Sequence, residues 1–266
     1  MENSESFLYH TNAALLSFLL FVAMILLLEV GSFVGHRLRK TEENKNDAIN
    51  TTIVAAVLGL FAFLLGFSFS MSGGRFENRR INNINEANAI GTAILRADLY
   101  ARPERDSFLY DFKKYTQARI GYFEAGSNVP AMQKQEQNAQ YYSGRIWNRA
   151  SSNASKASSL YPGNLMIPAL NNMIDSMSYN DYGEKFRVPD LITILLFSIS
   201  LVCAFFVGYQ SVIKGGFNRT ITIGFCLLSV LVIYTTLDLD RSRSGLIRQN
   251  TSLQSLTDLM KMFDKR

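Results

Sequence analysis

The sequence predicts an all-α integral membrane protein: four transmembrane helices, two and two, around a helical extramembrane domain inserted between spans two and three. Three observations carry this. The apolar residues are gathered into four long blocks, the charges lie almost entirely between the blocks, and no stretch alternates with the period of two that a sheet requires. With 266 residues, 48% hydrophobic, the chain looks average as a whole, because the average hides the segregation.

The blocks run from Ala13 to Val34, Thr52 to Met71, Leu191 to Tyr209 and Ile221 to Leu237. Each is about 17 to 22 residues, the length that crosses a hydrocarbon core of about 30 Å as helix. Glu29 is the only formal charge inside them, and none shows the polar face that a helix of a soluble protein presents to water. The first block is not a signal peptide by its flanks: Glu2 and Glu5 precede it, and Arg37, Arg39 and Lys40 follow.

These blocks divide the chain into a first pair of spans (1–74), the extramembrane domain (75–189), a second pair of spans (190–238) and a C-terminal extension (239–266). In the domain, Ile81, Ile84, Gly91, Ile94 and Leu95 keep a helical stripe, and Pro103 suits the first turn of a second helix through Phe108, Phe112, Tyr115, Arg119 and Tyr122. Gly126–Pro130 reads as a turn, Met132 to Ile146 as a third helix, 151–164 as a loop, and Pro168 as the opening of a last helix. The extension ends in a short amphipathic helix with Leu253, Leu256, Met260 and Phe263 on one side, expected to pack on the domain and capped by Thr251 or Ser252.

The net charge of +5 fits basic membrane flanks and anionic lipid better than nucleic acid, for which no binding motif is present. Cys203 and Cys226 fall inside apolar blocks and read as small buried hydrophobes. His10 and His36 lack a plausible nucleophile or metal partner. Neither an enzyme, nor a metal site, nor a cofactor is expected. Glu29 reads either as an ion ligand inside the bundle or, preferred near a helix end, as an interfacial carboxylate paired with Arg37 or Arg39.

Span two carries two patterned faces. Ala55, Gly59, Ala62, Gly66 and Ser70 form a small-residue face that lets another helix approach closely. Leu60, Phe63, Phe67 and Met71, with Ser70 beside them, are the candidate pore-lining residues; the competing reading turns them to lipid or neighbouring helices. Beyond the span comes a run of asparagines, poor helix formers that ask for compensation. Asn85, Asn88, Thr92 and Arg96 share one face, expected to be a polar lumen or an inter-subunit seam. Glu86 is expected in a partly buried structural ion-pair cluster with Arg79, Arg80, Asp238, Asp240, Arg241 and Arg243, with Asn88 hydrogen-bonding in the same cluster.

The string EANAIGTAILRADL (86–99), preceded by LLGFSFSMSGGRFENRR and completed by DLDRSRSGLIR, resembles the bacterial bestrophin-like membrane proteins. The resemblance covers most of the chain from span two to Arg248. It implies assembly as a homo-oligomeric ring, by analogy a pentamer, and conduction of small anions such as chloride through a pore lined by the second span. The acidic calcium clasp of animal bestrophins is not evident. The alternative is a membrane-anchored signalling or scaffolding protein whose helical domain binds a partner or ligand.

The expected location is multi-pass in a bacterial inner membrane. The basic short loops after spans one and three place the domain outside by the positive-inside rule, whereas the resemblance places it in the cytoplasm.

Overall fold

The structure is a computed structural model that describes residues 11–39, 47–154, 160–185, 188–213, 218–241, 245 and 250–264. The described residues form eight helices: α1 (Ala13–Arg39), α2 (Asp47–Ala97), α3 (Arg102–Glu124), α4 (Val129–Ala154), α5 (Leu160–Lys185), α6 (Asp190–Ile213), α7 (Arg219–Asp240) and α8 (Asn250–Asp264). Four are long and apolar enough to cross a membrane: α1, α2, α6 and α7. The chain divides into two compact units, one of residues 1–75 and 187–241, the other of 76–186 and 242–266.

In the membrane unit, α1 lies along α6 and against α7. Its core joins Met24 and Leu28 of α1, Phe61 of α2, Cys203 and Ala204 of α6, and Cys226 and Ile233 of α7. Lipid tails are as apolar as leucine, so these helices are held by close packing rather than by escape from water. The packing is closest at three glycines. A Cβ on Gly31 would overlap the carbonyl oxygen of Phe205, one on Gly208 that of Leu28, and one on Gly35 would stand 2.9 Å from the carbonyl oxygen of Tyr209. Helix α2 sits differently: only a stripe at Val54, Phe61, Ser68 and Ser72 is buried.

In the second unit, Ala93, Ile94 and Ala97 of α2 meet Phe108, Phe112 and Tyr115 of α3, Ala139 and Ile146 of α4, and Met166, Leu170 and Met173 of α5 in one core. Pro103 lies in the first turn of α3, where its missing N–H costs nothing. The turn to α4 uses Gly126 at φ +56°, and Asn128 Oδ1 accepts from the Ala131 N–H at 3.1 Å as a cap. Helix α8 belongs to this unit, with Leu256 fully buried in its core and Leu259, Met262 and Phe263 packed around it. It starts at Asn250, one residue before the expected Thr251 or Ser252 cap.

Three local expectations are corrected. The segment after span two is no separate helix: α2 continues through Gly73–Gly74 for 51 residues. Two glycines at about 1 kcal/mol each do not stop a helix anchored by packing on both sides. The expected 151–164 loop is largely helical, α4 reaching Ala154 and α5 starting at Leu160, with 155–159 outside the described residues. Pro168 therefore lies inside α5 rather than at its start. The N–H that Pro168 lacks would have bonded the Asn164 carbonyl; the next carbonyl along, that of Leu165, accepts from the guanidinium of Arg96.

Candidate functional site

Within the membrane unit, the distinctive surface is α2. A helix repeats every 3.6 residues, so the buried positions 54, 61, 68 and 72 form one stripe and leave the opposite side bare. Leu60, Phe63 and Phe67 are 52%, 67% and 57% exposed. Phe63 and Phe67 stack on each other at 6.4 Å between ring centroids. Ser70 is exposed and Met71 half-buried. The small residues are bare too: a Cβ on Gly59 or Gly66 would meet nothing within 4 Å. The membrane unit thus uses glycines for close packing between α1 and α6 and leaves Gly59 and Gly66 of α2 without a close neighbour among the described residues.

Where α6 starts and α7 ends, Asp240 is buried and receives the Val188 N–H at 3.1 Å, with Arg75 Nη1 3.6 Å from Oδ1. Asp238 is buried and accepts from the Tyr234 hydroxyl at 3.5 Å, and Arg241 donates to the Thr11 carbonyl at 2.6 Å. Arg243 lies outside the described residues. Glu29 is exposed and lies 3.9 Å from Arg219, α1 and α7 being neighbours; the side chain of Arg39, one of its expected partners, lies outside the described residues.

The ion pair of the second unit differs from the expected cluster. Glu86 is completely buried and pairs with Arg119 of α3, Nε at 2.5 Å from Oε1 and Nη2 at 2.9 Å from Oε2. Arg119 also reaches Asp181 at 3.1 Å, and Asn180 donates to Glu86. The Arg119 guanidinium lies 4.7 Å from the Tyr122 ring and 5.5 Å from that of Phe123. Burial would lower the Arg119 pKa, but the Glu86 carboxylate overrides it and the net shift is upward. Tyr115, fully buried beside them, is pushed up by burial and by Glu86. Arg119 appeared in the sequence only as one position of a helical stripe; an arginine among aromatic core positions was the signal that could have marked it.

Arg79 is buried, while Arg80 is exposed and pairs with Glu77 one turn back at 3.3 Å. Asn88 is exposed and takes no part in the Glu86 cluster. The reason is register: two residues along a helix is a turn of about 200°, which puts Asn88 on the side away from the core. Asn85, Asn88 and Thr92 instead wall a cleft of about 450 Å3 between α2 and α5, opposite Asn172, Asp175, Ser176 and Tyr179. Arg96 is not in that wall; it is half-buried and turned to the Leu165 carbonyl.

No family model matches the sequence. No curated protein matches it either. The arrangement of its helices does match solved structures. A bacterial bestrophin homologue from Klebsiella pneumoniae superposes with a TM-score of 0.66 at 11% identity, covering 92% of this chain and 98% of that one. The chain has the bestrophin fold. A second bestrophin homologue structure from the same organism, a mutated form, gives 0.61 at 14% identity over 91% of this chain, and a structure described as a membrane protein gives 0.69 at 12% over 92%. The bestrophin architecture thus spans nearly the whole chain, both units included, at an identity too low to carry site residues across.

Proposed function

We propose that the protein is a homo-oligomeric membrane channel whose pore is lined by α2. The observation that carries this is the bare face of α2. Leu60, Phe63 and Phe67 stand exposed in a unit where α1, α6 and α7 already pack together, and beside them lies a small-residue face that no described residue fills. A small-residue face suits a close helix neighbour, and a ring of apolar side chains suits a constriction that controls wetting. The likeness to bestrophin homologues supports the same reading, with five copies around the axis and small anions such as chloride as permeant species.

Purified oligomer reconstituted into liposomes should pass chloride in a flux assay. Protein of confirmed oligomeric state that passes no ion would overturn the channel reading; flux of cations alone would overturn only the anion assignment.

The membrane proposed is a bacterial inner membrane. For the side on which the second unit lies, the charge of the short loops argues outside and the bestrophin likeness argues cytoplasm. A membrane-impermeant thiol reagent applied to intact cells carrying Asn138→Cys decides, since Asn138 lies in α4 of the second unit.

A further inference from the structure

The asparagines of the α2–α5 cleft pose a chemical question that the pore does not answer. Asn is a poor helix former, and in a helix interior its side chain turns either to a hydrogen bond within the protein or to an open face. Deeper in the same seam that bond exists: Asn180 is buried and donates to Glu86. In the cleft it does not. Asn85, Asn88, Asn172 and Asp175 line the cleft, and none of these side chains makes a hydrogen bond or ion pair with another described residue. Tyr179 is 70% exposed at the same cleft.

We propose that this cleft binds a small polyhydroxylated molecule of monosaccharide size, uncharged or singly cationic. Its volume of about 450 Å3 lies within the range of small-molecule sites. Each asparagine offers two N–H donors and a carbonyl acceptor, which matches hydroxyl groups that both donate and accept. Asp175 is acceptor-only and takes hydroxyl or ammonium hydrogens. The exposed ring of Tyr179 offers a flat apolar face to the C–H side of a sugar ring. The lining contains one carboxylate and no lysine, arginine or histidine, so an anionic ligand would meet repulsion without compensation. The walls are open to water, which sets the expected affinity in the millimolar range.

Three pyranoses of one shape and different charge test this: glucose, glucosamine and glucuronate, each titrated against the full-length detergent-solubilised protein by saturation-transfer NMR. Glucose and glucosamine should saturate, and glucuronate should bind at least about tenfold more weakly, a difference of about 1.4 kcal/mol. Asp175→Asn should bring glucuronate to within about twofold of glucose, a single carboxylate being the source of the discrimination. Asn85→Leu and Asn172→Leu should each abolish saturation while leaving the thermal midpoint unchanged, because neither side chain is engaged within the described protein. Absence of saturation by all three sugars overturns the proposal, as does saturation that Asn85→Leu leaves intact. Binding is read without ion flux, so the outcome is separate from that of the channel assay.

Discussion

Arg119 and Glu86 form a doubly hydrogen-bonded ion pair with both side chains at zero exposure, closed on one side by Asp181 and Asn180. It joins α2 to α3 and α5 inside the second unit. Taking two charges out of water costs several kcal/mol for each, and the attraction offsets that only while both partners and their hydrogen bonds are in place.

Removing one partner therefore exposes the cost. Glu86→Gln should destabilise the protein by about 3 kcal/mol, the low end for breaking a buried pair because Asp181 still faces Arg119. Arg119→Met should cost more, since it leaves two buried carboxylates facing each other. The thermal midpoint of the solubilised protein measures both. Midpoints within a degree of the parent for either variant would show that the pair is not what holds these helices.

The glycines of the membrane unit should separate into two classes. Gly31→Ala and Gly208→Ala drive a methyl into the backbone of the neighbouring helix and should prevent α1 and α6 from seating, seen as loss of folded protein in detergent. Gly59→Ala and Gly66→Ala meet no described residue and should leave the fold of the protomer intact. If the α2 face packs on a second copy, Gly66→Leu should reduce the oligomeric mass measured by light scattering while the protomer stays folded.

The aromatic face of α2 makes a prediction about conduction. Phe63→Ser and Phe67→Ser should each increase ion flux, because a hydroxyl at an apolar constriction lowers the barrier to wetting. Equal flux from both variants and the parent would place the constriction elsewhere.

Alkaline pH should unfold the second unit through its buried tyrosines. Burial raises the pKa of Tyr100, and burial together with Glu86 raises that of Tyr115. Below about pH 10, the ordinary tyrosine value, folded and unfolded chains both keep these protons and stability does not depend on them. Above it the unfolded chain releases protons that the folded chain holds, so stability falls as pH rises. Tyr115→Phe should flatten that fall and change little at neutral pH, because the Tyr115 hydroxyl is buried without a hydrogen-bond partner among the described residues. Denaturation midpoints from pH 7 to 11 provide the measurement.

The C-terminal helix should contribute to the second unit's stability chiefly through its most buried residue. Leu256 is fully buried in that core, so Leu256→Ala should cost about 2 to 5 kcal/mol, readable as a shift in the denaturant midpoint.

The sequence by itself determined the four spans, the helical character of everything between them and the patterned faces of span two. Those features rest on composition and on a period of 3.6, which a single helix carries without help from its neighbours. It also marked Glu86 as a carboxylate in need of a cation. What only the tertiary structure decided was which cation. Of the arginines near in sequence, Arg80 sits about 120° round the same helix, and Arg79, on the same face, lies two turns or about 10 Å back along it, while Arg119, 33 residues away, stands on a second helix directly across the buried stripe. The same cause split the asparagine face, sending Asn88 to an open cleft and Arg96 inward to the Leu165 carbonyl. It also gave the close helix packing in the membrane unit to Gly31 and Gly208 rather than to Gly59 and Gly66. Side-chain chemistry states what a residue needs; which neighbour supplies it depends on the angle and distance at which two helices meet, and that is settled by packing across the whole unit.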